Sequence, residues 1–426
     1  MTPLLSYYGD DFTGSTDVME ALASHGVETV LFTRIPTAVE FASFASCQAI
    51  GLAGTSRSQS PEWMDENLPR VFDWLKSLEA RFCHYKVCST FDSAPHTGSI
   101  GRAVDIGATV FEQPLVPLVV GAPQLKRYTF AGHLFAGYQG AVYRIDRHPV
   151  MSRHPVTPMH EADLRLHLAQ QTTRSIVLLQ NEWPDAGVAL LDVHDEQTQR
   201  AAGQRLLNMP ARAQPFIAGS SGIEYALMKA MVQNQQIVGK ADFPPLPAVA
   251  QTMVVSGSVS PTTERQIRSA ETQGFEAIPV SAMALARGDA PARQKAISSA
   301  LQCLSAGRSP LIHTALGPGS DTGAQLNTIA GGRANIGTGL GAILRAVVQE
   351  AKLRRVIVAG GDSSSHALGE LDIYALTTRM PLPATPGSPL CTARSGSPHL
   401  DGIEIALKGG QVGSDDYFAS LRDGRI

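Results

Sequence analysis

Short apolar runs that stop abruptly at turns rich in Gly, Ser, Thr and Asp, each followed by an amphipathic stretch, recur along this chain. The first instance is the clearest. Residues 3–8 have the length and apolar content of a buried strand, Gly9-Asp10-Asp11 ends it, and Val18, Met19, Ala21 and Leu22 then mark one face of a helix. Residues 27–33, 47–53, 82–88, 115–122, 175–179 and 189–193 repeat the strand pattern, and 64–78 and 161–170 the helical one. Such alternation predicts an α/β fold with mostly parallel sheets covered on both faces by helices.

Length divides the pattern in two. A chain of 426 residues exceeds one ordinary core. The clearest seam is Gly239-Lys240-Ala241-Asp242-Phe243-Pro244-Pro245-Leu246-Pro247, whose prolines stop both helix and sheet. The expected organisation is one α/β domain over 1–238, a Pro-rich linker over 239–250 and a second α/β domain over 251–426, with an active-site cleft between the domains. A net charge of −3 with no basic run argues against nucleic acid as a partner. No apolar segment is long enough for a bilayer, so no membrane partner is expected. Five scattered cysteines form neither a disulfide framework nor a zinc pattern, and no signal-peptide pattern is visible. The expectation is a cytoplasmic protein with reduced thiols.

The strand ends carry the chemistry. Asp10 and Asp11 are adjacent acids at the carboxyl end of a strand, where open α/β sheets bind ligands. A helix cap accounts for one of them; two together suit hydroxyls, a metal ion or a transferring proton. Arg57 follows the next strand pattern, and Lys86-Val87-Cys88-Ser89-Thr90-Phe91-Asp92-Ser93 ends another. If those strands are neighbours, Arg57 and Lys86 lie beside the two acids. Cations for a carboxylate and acids for hydroxyls fit a small polyhydroxy acid, although a plain ion pair is the ordinary explanation for either cation alone. His148 and His154 each precede a Pro-containing loop and read as ordered loop residues rather than metal ligands.

In the second domain the turns suit phosphate. Ser256-Gly257-Ser258-Val259-Ser260-Pro261, Gly360-Gly361-Asp362-Ser363 and Lys408-Gly409-Gly410-Gln411-Val412-Gly413 are glycine-rich turns, the first two placed between a strand and a helix. Glycine lets backbone N–H groups approach an anion, and a helix N-terminus adds a favourable dipole. Asp362 is placed to bind Mg²⁺ or to take a proton. Gly337-Thr338-Gly339-Leu340-Gly341 lacks dinucleotide-loop spacing and reads as a helix start.

Taken in order, Gly9 to Asp17, Lys86 to Ser93 and Arg153-His154-Pro155-Val156-Thr157-Pro158-Met159 resemble the substrate domain of the four-carbon acid sugar kinases, the DUF1537 family. Ser256-Gly257-Ser258, Gly360-Gly361-Asp362 and residues 408–413 resemble that family's nucleotide-binding domain. The resemblance implies an ATP- and Mg²⁺-dependent kinase acting on the terminal hydroxyl of a tetronate or related acid sugar. It implies a substrate set of Asp10, Asp11, Arg57, Lys86, Val87, Cys88 and Ser89. It implies an ATP set of Ser258, Gly360, Gly361, Asp362, Ser363 and Gly410. Asp11 and Asp362 are the candidate catalytic acids, and no metal ligand is assigned. Cys88-Ser89-Thr90-Phe91-Asp92 resembles the 3-oxo-tetronate kinases. The longer stretch Ala94-Pro95-His96-Thr97-Gly98-Ser99-Ile100-Gly101 and the Ser-Ser-Ser-His run after Asp362 look more like a branch acting on branched acids such as 3-oxo-isoapionate. The expected partner is a small-molecule acid sugar, and a homodimer stays open. The alternative is a non-catalytic acid-sugar-binding or secreted type III effector-like protein.

Overall fold

Burial explains the strands before topology does. In the computed structural model the first strand, β1 (Leu5–Gly9), is buried at every position, as are β2 (Thr29–Phe32), β4 (Phe82–Lys86), β5 (Leu115–Val119), β10 (Gly187–Leu191) and β11 (Phe216–Gly219). Strands covered on both faces read as continuous apolar runs, the signature of a parallel sheet. Met1, Asp321, Thr322 and Asn327 lie outside the described residues, as do the side chains at 324 and 361–365.

The chain forms two compact units, Met1–Asp242 and Phe243–Ile426. With β3 (Ala49–Ala53) and β9 (Ile176–Leu178), the first unit's sheet runs β2-β3-β1-β4-β11-β5-β10-β9, and every pairing is parallel. The chain leaves β1 for β2, returns to β3 beside β1, then crosses to β4 on β1's other side. That reversal opens a crevice at the carboxyl end of β1. A separate antiparallel sheet, β6 (Arg127–Phe130), β7 (His133–Tyr138) and β8 (Ala141–Arg144), was not anticipated. Its strands are short and largely solvent-facing, so their pattern lacks the apolar run of the others.

The helices follow from caps and stripes. Pro61–Ser77 begins with Ser60 accepting from the Trp63 amide and Pro at its first position, then buries Met64, Leu68, Phe72 and Leu75 on one stripe. Phe72 packs edge-on against Tyr85 of β4 and Phe216 of β11, with centroids 6.0 and 5.4 Å away. Truncating it to Ala would cost about 3–5 kcal/mol. The helix expected over 161–170 shortens to Leu164–Leu168, because the Asp163 side chain caps it by accepting from the Arg165 amide.

In the second unit, β12 (Met253–Ser256), β13 (Phe275–Pro279), β14 (Ser309–His313), β15 (Arg355–Ala359), β16 (Ile373–Met380), β17 (Leu390–Ser395) and β18 (Glu404–Lys408) order as β13-β14-β12-β15-β18-β17-β16. The four pairings from β13 to β18 are parallel, and the two that add β17 and β16 are antiparallel. The winding around β12 repeats that around β1. Residues 337–341 lie inside the helix Gly332–Ala351 and do not start it. A Cβ at Gly337 would sit 2.7 Å from the His366 Cβ, and one at Gly341 2.7 Å from the Ala367 Cα. These glycines let the helix pack closely on its neighbour, Gly361–Glu370. Among the described residues no helix is long and apolar enough to cross a membrane.

Candidate functional site

The carboxyl end of β1 gathers charge. Asp11 caps the helix Phe12–Ser24: its Oδ1 accepts from the Gly14 amide at 2.6 Å. Its Oδ2 accepts from Arg57 Nη1 at 2.8 Å. Arg57 comes from the turn after β3, where its own amide donates to the Asp10 carbonyl at 3.0 Å. Its Nη2 lies 2.9 Å from both oxygens of Asp92. Asp92 also accepts from Thr90 Oγ1 at 2.5 Å and Thr157 Oγ1 at 3.1 Å. Burial pushes the Asp92 carboxyl up, but the Arg57 guanidinium and the Thr90 hydroxyl outweigh it and leave it below its ordinary value. Phe91, with φ at 56°, reverses the chain between Thr90 and Asp92. That conformation costs about 1–3 kcal/mol and needs a compensating structure around it.

Lys86, the last residue of β4, is buried, with Nζ 3.8 Å from Asp17 Oδ2. Burial lowers its pKa, but Asp17, Asp10 and Asp11 outweigh it and leave the ammonium raised. At Asp17 burial dominates instead and pushes the carboxyl up despite Lys86. A Cβ at Gly14 would fall 2.5 Å from Asp11 Oδ1 and 3.0 Å from Lys86 Nζ, so a side chain there would displace one of these two groups. Asp10 differs from Asp11. Its amide donates to the Lys86 carbonyl at 2.9 Å, and its buried Oδ1 has no hydrogen-bond partner. Burial first, and the Asp11 charge second, push its carboxyl up to about 7 against the pull of Arg57 and Lys86.

Asp10, Asp11, Arg57 and Lys86 are therefore brought together. Val87 is fully buried, and its amide donates to the Gly219 carbonyl at 2.7 Å. Cys88 and Ser89 are half-buried, and Cys88 Sγ lies 2.9 Å from Thr90 Oγ1. The sequence did not single out Asp92 or Thr157 as site residues. Their signal was present in the Lys86–Ser93 and Arg153–Met159 segments, but nothing in either says that they meet. In the inserted stretch, Gly98 donates to the Gln59 carbonyl at 2.8 Å, and a Cβ on it would collide with the Arg57 carbonyl, so the insertion rests on the Arg57 turn. His148 Nδ1 accepts from the Val150 and Met151 amides, and His154 Nδ1 from the Thr157 amide.

In the second unit, the three glycine-rich turns follow β12, β15 and β18, which are adjacent in the sheet. Gly257, Ser258, Ser260, Gly360, Gly410 and Gln411 line a cavity of about 510 Å³, with Arg333 on its wall. Gly360 has a φ of 123°, closed to other residues without strain. A Cβ at Gly410 would come 2.8 Å from Ser258 Oγ. Behind the turns, buried Lys408 donates to the Gly409 and Val412 carbonyls at 2.8 and 3.2 Å and to Thr263 Oγ1 at 3.3 Å. Thr263 Oγ1 in turn lies 3.1 Å from both Ser258 Oγ and the Gly410 carbonyl. Burial lowers the Lys408 ammonium to about 8. The sequence placed Lys408 at the head of the third turn without giving its side chain a role, and did not single out Thr263 or Arg333. The side chains of Gly361, Asp362 and Ser363 lie outside the described residues.

Comparison with known proteins matches both halves. A family model described as a sugar-binding N-terminal domain covers residues 5–227, and one described as a nucleotide-binding C-terminal domain covers 253–418. A 3-oxo-isoapionate kinase from Paraburkholderia graminis is 43% identical over 99% of this chain and 95% of its own. The chain belongs to the four-carbon acid sugar kinase family. Within that family, a 3-oxo-tetronate kinase from Cupriavidus necator is 26% identical over 98% of this chain and 96% of its own. Two solved structures share the fold. A Haemophilus influenzae family member has a TM-score of 0.73 at 21% identity, covering 99% of this chain and 100% of its own. A Salmonella typhimurium protein described as a putative tRNA synthase has 0.77 at 22%, covering 98% of each. None of these comparisons points to the effector-like alternative.

Proposed function

We propose that this protein is an ATP-dependent kinase that phosphorylates a hydroxyl of an acid sugar, with 3-oxo-isoapionate the favoured substrate and 3-oxo-tetronates or tetronates the nearest competitors. The observation that carries this reading is the 43% identity over 99% of the chain to a 3-oxo-isoapionate kinase. The two charged sites supply what such a reaction needs. ATP fits the cavity of the second unit: three turns on adjacent strands surround it, and a Cβ at Gly410 would crowd it. Ser258, Gly360, Gly361, Ser363 and Gly410 would hold the phosphates through backbone and hydroxyl groups, with Arg333 adding a cation. Mg²⁺, when bound, would offset phosphate charge, held mostly by phosphate oxygens, with Asp362 as the candidate carboxylate.

At the sugar site, Asp11 is committed on both oxygens, to the Gly14 amide and to Arg57. Asp10 keeps an oxygen without a partner. We therefore assign proton acceptance to Asp10. The acceptor hydroxyl's proton passes to the Asp10 carboxylate as that oxygen bonds to the transferring phosphorus, and the bond to the ADP oxygen breaks. Asp11 and Asp92 hold Arg57 in place, and Asp17 holds Lys86. A coupled ADP-release assay over 3-oxo-isoapionate, 3-oxo-tetronates and tetronates tests the reading. Turnover on one of these acids supports it; no ADP release above the ATP-only rate with any of them overturns it.

A further inference from the structure

Arg57 and Lys86, the two cations that the sequence offers for the substrate's carboxylate, already face protein carboxylates: Asp11 and Asp92 for Arg57, Asp17 for Lys86. One further cation at this end of the sheet does not. Arg127 opens β6, and its backbone bridges Ala122, with N to O at 3.2 Å and O from N at 2.9 Å, three residues past the end of β5. That puts it beyond the carboxyl end of β5, in the same parallel sheet as Asp10 and Lys86, two strands from β4 and three from β1. Its Nη1 donates to the Leu125 and Lys126 carbonyls at 3.0 and 3.2 Å. Its Nε is buried with no partner, and among the described residues no carboxylate lies within ion-pair distance of it.

We propose that Arg127 is the residue that recognises the carboxylate of the acid sugar, and so sets the preference for acids over neutral sugars. Arg127 is half-exposed, but a guanidinium whose buried Nε has no partner is costly, and a carboxylate bound along its free edge would offset part of that cost. Arginine's planar fork presents two N–H groups to the two oxygens of such a ligand, and here Nη1 alone is used by the protein. A purely structural Arg127 would instead serve only to tie the base of the β6–β7 hairpin through Nη1.

This inference rests on the kinase reading, and the test separates the two. Arg127→Met and Arg127→Lys are measured beside the wild type, by calorimetry with 3-oxo-isoapionate, 3-oxo-tetronate and their carboxamide analogues, and by steady-state kinetics. The expected result is that Arg127→Met weakens binding of the acid by on the order of 10²-fold, with the carboxamide and ATP affected little. Arg127→Lys, which keeps the charge and loses the fork, should fall between. If Arg127→Met does not fold, the lysine variant carries the comparison of acid with carboxamide. Equal losses for acid and carboxamide, or none for either, would overturn the proposal and leave the kinase reading intact. Wild-type protein that binds the acid through Arg127 but transfers no phosphoryl group would overturn the kinase reading and support this one. Failure of the wild type to bind any of the acids overturns both.

Discussion

Asp10 and Asp11 are neighbours in the chain and opposites in bonding: Asp11 accepts from the Gly14 amide at 2.6 Å and from Arg57 at 2.8 Å, whereas the Oδ1 of Asp10 is buried and accepts nothing. The charged and titratable groups around Asp10 are Asp11, Arg57, Lys86, Asp92, Tyr8 and Tyr85. Its carboxyl, pushed up to about 7, is poised to gain and lose a proton near neutrality.

Asp10→Asn should lower the rate of the chemical step by on the order of 10²-fold or more, while Asp11→Asn chiefly weakens sugar binding. In the wild type, single-turnover rates should climb as Asp10 ionises through about pH 7 and level off above it. A rising limb that survives in Asp10→Asn would assign the proton to another group.

The same carboxyl bears on stability. Its folded value of about 7 exceeds the ordinary 3.8, so the folded state binds the extra proton. The stability that protonated Asp10 contributes is full below about pH 4 and is lost as pH rises through about 7. Asp10→Asn does not lose it. Its melting temperature should exceed that of the wild type by an amount larger at pH 8 than at pH 5, as read by calorimetry in matched buffers.

Arg57→Ala removes a sugar-site cation and also strands Asp92, whose side chain is fully buried. The sequence predicts a large rise in KM with little change in stability. The ion pairs argue for both, with a loss on the order of 3 kcal/mol. Denaturant titration checks this, and Asp92→Asn in the same protein should recover part of the loss, because the stranded charge is gone.

Gly410→Val places methyl groups against Ser258, where even a Cβ comes 2.8 Å from the hydroxyl oxygen. ATP affinity should fall about tenfold or more, a 1.4 kcal/mol effect, with acid-sugar affinity unchanged. Calorimetry with each ligand separately would expose an error in the assignment of the cavity.

Lys408→Met should raise the KM for ATP, because the Lys408–Thr263–Ser258 contacts hold the turns that line the cavity. With an ammonium value lowered to about 8, the wild type should also lose ATP affinity as pH rises through that value. The variant should be flat over the same range; a matching pH dependence in the variant would remove Lys408 from the site.

Much of the architecture was legible because parallel strands buried on both faces leave a strong apolar signature, as at β1 and β15. The β6–β8 sheet was not legible, since its short, half-exposed strands carry no such run. Residues 337–341 misled for a related reason: glycine signals a turn in isolation, yet here it serves close helix packing against His366 and Ala367.

By itself the sequence determined the alternation of strand and helix, the polar turn that ends β1 and the glycine-rich turns after β12, β15 and β18, because period, apolar content and turn chemistry are local properties. Only the tertiary structure decided which charges cancel. Arg57 meets Asp11 across 46 residues and Asp92 across 35, and Lys86 meets Asp17 of the first helix, while Asp10 Oδ1 and Arg127 Nε are among the buried polar atoms left without a partner. Ionic attraction and desolvation depend on distance in space and on burial, and neither is set by the residue types along the chain.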